Sequence, residues 1–136
     1  LFALVGLFVV LGVRSLARER RRREAWEPAR ARLGGRWEQV SGRPAIVFDA
    51  GGLRGTAGIR ASRGAGNVTQ VEVFTGSAPA LGHPLDKVPT ETLAGPPGWT
   101  LRRQPHRVWA SHSGLVLDPA DLLRAVDTVV AAIGRR

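Results

Sequence analysis

Residues 118–134, DPADLLRAVDTVVAAIG, carry the strongest local pattern in the chain. Asp118 is suited to the N-cap of a helix, Pro119 to the first helical position, and Asp121 to the first turn, where the helix dipole favours a carboxylate. One apolar stripe follows at helical spacing, and it consists of Leu122, Leu123, Val126, Val129, Val130 and Ile133. The pattern predicts an amphipathic helix over 119–133 that lies across the buried face of a β-sheet.

The residues upstream of this helix alternate with the period of two that is typical of β-strands. In the stretch 53–61, Leu53 and Ile59 share one face, whereas Arg54 and Arg60 lie on the other. Six strands are predicted in this way, at 45–48, 53–61, 68–75, 99–104, 107–111 and 115–117. We therefore expect residues 37–136 to form one small α+β domain, in which an antiparallel sheet of about five or six strands is covered on one face by the C-terminal helix.

The stretch 76–98, GSAPALGHPLDKVPTETLAGPPG, interrupts the strand pattern with five prolines. Loops of this length are uncommon in compact domains unless they are functional or disordered. Two interpretations stay open: a lid or partner-binding loop, and a plain excursion that covers one edge of the sheet. Within this stretch, residues 90–93 predict one capped turn of helix.

The first thirteen residues, LFALVGLFVVLGV, are apolar throughout and are followed at once by Arg14. An apolar segment that ends in arginines is typical of a helix that leaves a bilayer. At the helical rise, however, the segment covers only about 20 Å of a hydrocarbon core that is about 30 Å thick. We therefore interpret residues 1–13 as the C-terminal part of a transmembrane helix whose beginning is missing. A buried core helix is the alternative, whereas a signal peptide would carry its positive charge before the apolar run.

Residues 14–36 hold nine arginines and three glutamates, and they predict a basic helical stalk that ends at Gly34 and Gly35. Pro28 should kink this stalk or begin a second short helix, and Trp26 should pack on the domain. Because the flank richer in arginine tends to stay in the cytoplasm, we expect the domain to be cytoplasmic. The arginines beside the span act either as a plain topology signal or as a site for anionic lipid. They are Arg14, Arg18, Arg20, Arg21, Arg22 and Arg23.

No motif in the sequence identifies a catalytic centre, and we expect no cofactor. The chain has no cysteine, which excludes disulfides, thiol nucleophiles and thiolate metal sites. The glycine-rich stretch 51–58 lacks the Lys-Ser/Thr of a phosphate-binding loop, and the sequence contains no G-x-S-x-G nucleophile motif. His83, His106 and His112 are the weak alternative, as a hydrolytic or metal site under the loop 76–98.

Aromatic residues are interleaved with arginines between positions 99 and 109, a pattern that nucleic-acid-binding sheets share. The residues concerned are Trp99, Arg102, Arg103, Arg107 and Trp109. However, residues 37–136 hold eleven basic and eight acidic groups, which is only a mild excess of positive charge. A tryptophan in a strand under a helix is also more often part of the core. We therefore do not expect a nucleic-acid partner.

The sequence thus favours a single-pass membrane protein whose domain is a non-catalytic interaction or scaffolding module at the cytoplasmic membrane surface. The uncovered sheet face or the loop 76–98 is the expected contact surface for a protein partner that the sequence does not identify. Two alternatives remain: a small hydrolase or metal-dependent enzyme, and a module that binds anionic lipid or nucleic acid.

Overall fold

The computed structural model describes residues 2–62, 66–76 and 89–133, with the side chains of the first helix described at Ala17 and from Glu19 onward. The elements are α1 (Phe2–Leu33), β1 (Arg36–Val40), β2 (Arg43–Ala50), β3 (Leu53–Ser62), β4 (Gly66–Phe74), β5 (Glu91–Leu93), β6 (Trp99–Gln104), β7 (Arg107–Ser113) and α2 (Pro119–Ile133). All of these strands form one antiparallel sheet of seven strands in the order β1-β2-β3-β4-β7-β6-β5. The predicted α+β class with an antiparallel sheet is therefore confirmed.

The sheet consists of two antiparallel meanders that meet between β4 and β7. β1 to β4 pair in chain order, and β5 then begins at the far edge a second run that returns through β6 to β7. The predicted hairpin between β2 and β3 is confirmed, and its two central residues, Gly51 and Gly52, have φ of 64° and 89°. Positive φ at both central positions is the type I′ geometry that matches the twist of paired strands.

The strands differ from the predicted set in three regions. β1 was not predicted. Most of its side chains are polar, and it lies at an edge of the sheet where its residues are partly exposed to solvent. The helical turn predicted at 90–93 is wrong, since β5 occupies this region and Glu91 pairs with Arg103 at 2.6 Å. Residues 115–117 do not form a strand, because the Val116 N–H donates to Thr69 Oγ1 at 3.0 Å rather than to a neighbouring strand.

α2 has the predicted bounds and the predicted cap. Asp118 Oδ1 accepts a hydrogen bond from the Ala120 N–H at 3.0 Å, which satisfies one of the free donors at the helix start. The helix packs on β4 and β7, and it buries Leu122, Ala125, Val126, Val129 and Ala132. Val130 departs from the prediction, because 41% of its surface is exposed. The buried face of α2 therefore includes Ala125 and Ala132, and it is rotated away from Val130 relative to the predicted apolar stripe.

The end of α1 follows the predicted glycines. Gly34 has a φ of 63°, and its N–H donates to the Ala31 carbonyl at 3.2 Å, while the Gly35 N–H donates to the Arg30 carbonyl at 3.0 Å. These two bonds form the Schellman motif that closes many helices. A Cβ at position 35 would lie 2.8 Å from Ile46 Cγ2, so the close approach of β2 also requires glycine there.

The last turns of α1 belong to the hydrophobic core. Trp26 and Ala29 are fully buried, and Trp26 stacks on Trp37 of β1 with 6.4 Å between ring centroids. The indole N–H of Trp26 donates to the Val116 carbonyl at 2.6 Å, which joins α1 to the segment that leads into α2. The predicted packing of Trp26 on the domain is therefore confirmed.

α1 runs unbroken through Pro28, so the predicted second helix does not begin there. Packing of Trp26 and Ala29 on either side of Pro28 holds this turn helical although the proline removes one backbone donor. Across the described residues, no helix combines the length and the apolar character that a membrane crossing requires.

We predict that Trp26→Phe lowers the free energy of unfolding by about 2–4 kcal/mol. The substitution keeps an aromatic ring but leaves the buried Val116 carbonyl without its donor and leaves a gap in the core. Urea unfolding of the 136-residue chain in a non-ionic detergent, followed by far-UV circular dichroism, measures the change.

Trp37→Phe is the matched control, because the indole N–H of Trp37 lies at the surface, 3.5 Å from Glu27 Oε2. We expect this variant to lose about 1 kcal/mol or less. If the two variants were equally destabilised, the buried bond to Val116 would not hold α1 on the domain.

Candidate binding surface on the open face of the sheet

Both helices pack on the same face of the sheet, and no described helix covers the other face. We call this uncovered side the open face. Since side chains alternate along a strand, residues next to core positions such as Val71 and Val108 lie on it. Its arginines are Arg36, Arg43, Arg54, Arg60, Arg102 and Arg107. Its acidic residues are Glu38, Asp49 and Glu72.

Arg107 is held in place on the open face by contacts from three strands. Its Nη1 donates to Glu72 Oε2 at 2.9 Å and its Nε donates to Gln104 Oε1 at 3.0 Å. Its guanidinium lies 4.0 Å from the centre of the Trp109 ring, close enough for a cation–π contact. Gln70 Nε2 donates to the same Glu72 oxygen at 3.1 Å. The network therefore orders Arg107 before any ligand is bound.

A trough of small and neutral side chains crosses the open face at right angles to the strands. It consists of Ala45, Gly58, Gln70, Ser111 and Thr100, one from each of five adjacent strands. Arginines flank it on both sides, with Arg43 and Arg60 on one and Arg102 and Arg107 on the other. Two adjoining depressions with volumes of about 340 and 610 Å³ follow this path.

The arginines beside the trough are available to a ligand. Arg60 and Arg102 are exposed, and neither belongs to an ion pair within the part of the chain that the structure describes. Arg43 is also exposed, and its Nη1 donates to Asn67 Oδ1 at 3.3 Å. The trough thus presents cationic donors along its two sides, and among its four arginines only Arg107 has a carboxylate partner within the described residues.

Among the described residues, the open face does not pair its serine with a histidine. Ser111 lies on the floor of the trough, and its neighbour His112 lies on the opposite face of the sheet. A serine nucleophile needs a base within hydrogen-bond reach, and His112 cannot provide it from there. Within the described ranges, no group of three metal-ligating side chains comes together.

The structure does not bring His106 and His112 together. His106 lies in the turn before β7 and His112 lies near the end of that strand, about 20 Å away at the rise of a strand. His112 packs edge-on against Trp99 with 5.1 Å between ring centroids, and its Nδ1 lies 2.7 Å from the Ser113 carbonyl oxygen. His83 lies outside the described residues, as do positions 77–88 of the loop 76–98. The first two histidines therefore cannot share one metal ion.

Arg22, one of the arginines expected beside the membrane, is buried in the domain with 3% of its surface exposed. Its Nη2 donates to the Pro44 carbonyl at 2.7 Å and to Glu19 Oε2 at 3.0 Å. Burial lowers the pKa of the Arg22 guanidinium, and the Glu19 carboxylate opposes that effect. The guanidinium lies 5.4 Å from the centre of the Trp26 ring. Arg22 therefore contributes to the attachment of α1 to the sheet.

The other arginines of this group have different surroundings. Arg23 lies over the Trp37 ring, 5.2 Å from its centre. Arg20 and Arg21 are exposed. The side chains of Arg14 and Arg18 lie outside the described residues. Within the described part of α1, Arg20, Arg21 and Arg23 are thus the exposed members of the group, and Arg22 is the buried one.

The aromatic and basic residues considered for nucleic-acid binding are divided between the two faces of the sheet. Trp99 and Arg103 lie on the helix-covered face, where the Trp99 indole N–H donates to Asp121 Oδ1 at 3.3 Å. Arg102, Arg107 and Trp109 lie on the open face. Trp109 is nevertheless only 8% exposed, because Arg107 lies over its ring. The five residues therefore do not form one surface.

Sequence reasoning did not single out Gln70, Glu72 or Gln104, although they build the network around Arg107. The alternation in β4 could have indicated Gln70 and Glu72, because Val71 and Val73 point to the core and these two polar residues therefore point to the other face. Gln104 alternates in the same way with Leu101 and Arg103 in β6.

No protein-family model, no curated protein and no solved structure matches this chain. The functional interpretation therefore depends on the residues of the open face and on their geometry.

We predict that Glu72→Gln lowers the free energy of unfolding by about 1–3 kcal/mol. The side chain of Glu72 is 12% exposed, so the substitution removes the counter-charge of a partly buried Arg107. Chemical denaturation of the full chain measures the loss.

Glu38→Gln serves as the control, because the Glu38–Arg36 pair on the same face is longer, at 3.4 Å, and the Arg36 side chain is 71% exposed. An exposed pair of this kind is worth at most about 1 kcal/mol. Equal losses in the two variants would show that the network around Arg107 is not preorganised.

Proposed function

We propose that this chain is a membrane-anchored interaction module without catalytic activity, in which residues 1–13 insert into a membrane and the open face binds an acidic partner protein. The observation that carries the proposal is the charge of the open face, which holds six arginines and three acidic residues and has no described helix over it. Complementary charge steers association and selects the partner, so this surface favours one that is rich in carboxylates.

The continuity of α1 supports the anchoring part of the proposal. α1 is one helix of 32 residues that begins in the apolar stretch and ends with the core residues Trp26 and Ala29. Between Val13 and Arg22, the first buried side chain among those described, the helix rises by about 13 Å. Insertion of residues 1–13 would therefore hold the domain within a few turns of the membrane surface.

The charge on this connecting part of α1 supports a cytoplasmic location of the domain. Arg20 and Arg21 are exposed between the apolar stretch and the domain, where basic residues retain a flank in the cytoplasm and attract anionic lipid. Lipid attraction is thus a secondary contribution to anchoring. The alternative of a hydrolytic or metal-dependent site receives no support from the separation of His106 and His112 along β7.

Site-specific photo-cross-linking tests the proposal. We predict that a photoreactive amino acid at position 102, introduced into the full chain in cells, gives one discrete cross-linked product. The product should stay in the membrane pellet after an alkaline carbonate wash, because residues 1–13 hold the chain in the bilayer. The substitution Arg60→Glu should remove the product, because it reverses a charge on the other side of the trough.

The matched control places the same photoreactive group at Arg124, which is 62% exposed on α2 on the other side of the molecule, and we expect no product from it. Recovery of the chain in the carbonate supernatant would contradict the anchor. Failure to obtain a product from position 102, or the same product from both positions, would contradict the use of the open face.

A further inference from the structure

The dimensions of the trough limit what can lie in it. It crosses five adjacent strands, from β2 to β6, so its length is four inter-strand spacings, or about 19 Å. A single extended polypeptide advances about 3.3 Å per residue and would cover this length with about six residues. We infer that the trough binds an extended acidic segment of about six residues of the partner, laid across the strands; this inference rests on the proposed function.

The width of the trough fits one chain. On β3, Arg60 on one side and Thr56 on the other are four residues apart, which separates the two sides by about 13 Å. One extended peptide with its side chains fits within this width. A nucleic-acid duplex does not, because its grooves and backbones span a wider surface.

The floor and the sides offer complementary chemistry to such a peptide. Gly58 has no side chain and Ala45 has only a methyl group, so a backbone can approach the sheet closely there. Gln70, Ser111 and Thr100 supply amide and hydroxyl groups that can bond peptide N–H and C=O groups. Side chains of an extended peptide point alternately to either side, where the four arginines can bind their carboxylates.

The geometry favours an acidic peptide over single-stranded nucleic acid. Binding of unpaired bases depends on exposed aromatic rings that serve as stacking platforms. Phe74 is 38% exposed on the same face, but it lies four residues along β4 from Gln70 and does not line the two depressions of the trough. Trp109 is the aromatic residue that lines the trough in the described part of the chain, and the Arg107 guanidinium lies 4.0 Å from the centre of its ring. One face of that ring is thus occupied, and only 8% of the residue is exposed. The arginines, in contrast, are accessible to carboxylates.

Fluorescence anisotropy with a labelled hexaglutamate peptide tests the inference on the full chain in a non-ionic detergent. We expect saturable binding that the double substitution Arg60→Gln and Arg102→Gln weakens about tenfold, since two exposed ion pairs are lost. Arg124→Gln removes one exposed arginine from α2, away from the trough, and should leave the dissociation constant unchanged.

Ser111→Phe separates a seated peptide from diffuse attraction, because it fills the floor of the trough and keeps every arginine. We expect this variant to lose hexaglutamate binding while its circular dichroism spectrum stays that of the folded chain. Binding that survives Ser111→Phe, or that is insensitive to the double arginine substitution, would overturn the inference, as would no binding at all.

A six-residue oligouridylate is the competing probe. If it bound more tightly than hexaglutamate and lost binding in Ser111→Phe, the trough would be a nucleic-acid site and the inference would be wrong. A cross-linked product at position 102 together with a negative peptide result would leave the proposed function intact and refute only the extended acidic segment. If neither the cross-linked product nor hexaglutamate binding were observed, both the proposed function and this inference would be refuted.

Discussion

Both helices of this chain pack against one face of a single sheet, and the other features depend on this one-sided packing. The apolar side chains of the central strands point to the same side because side chains alternate along each strand and the register between strands keeps them aligned. Ile46, Ala57, Val71 and Ala110 form one continuous row beneath the helices. The same alternation places Arg60, Gln70 and Ser111 on the open face. A slip of one residue in any strand would exchange the two sets.

The N-terminal helix links this sheet to the apolar stretch at the start of the chain. Its last turns are held by a buried hydrogen bond from Trp26 to the Val116 carbonyl and by a buried contact from Arg22 to the Pro44 carbonyl. These contacts join α1 to β2 and to the segment before α2, so the helix cannot rotate freely against the domain. If residues 1–13 are inserted in a membrane, as we propose, these contacts fix the direction in which the open face points.

Elements that are fixed by interactions between residues close in sequence could be predicted, whereas elements that depend on tertiary contacts were predicted less well. The cap at Asp118 and the glycines after α1 act through nearest neighbours, so both helix ends follow from sequence. β1 and β5 could not be found this way, because an edge strand of polar residues forms only when a neighbouring strand offers a ladder. The buried position of Arg22 depends on its hydrogen bond to the Pro44 carbonyl of β2, and no local sequence pattern predicts this contact.

The candidate site also combines features that are local in the sequence with features that depend on tertiary contacts. The positions of Arg60, Arg102 and Arg107 on one face can be predicted from the alternation in their strands. The trough, in contrast, depends on the register of five strands, which aligns Gly58, Gln70 and Ser111. His106 and His112 do not come together, because residues six apart at the start and end of one strand are separated by about 20 Å, whereas their spacing in the sequence alone permits convergence in a loop.

The absence of cysteine from the chain permits a direct measurement of the one-sided sheet. Ala110 and Ser111 are consecutive in β7, the first fully buried beneath the helices and the second on the open face. Each position is replaced by cysteine in turn, and the rate of reaction with a maleimide is measured in the folded chain and in urea. One-sided packing predicts that Ser111→Cys reacts in the folded chain while Ala110→Cys reacts only after unfolding. Equal rates at the two positions in the folded chain, or faster reaction at position 110, would contradict it.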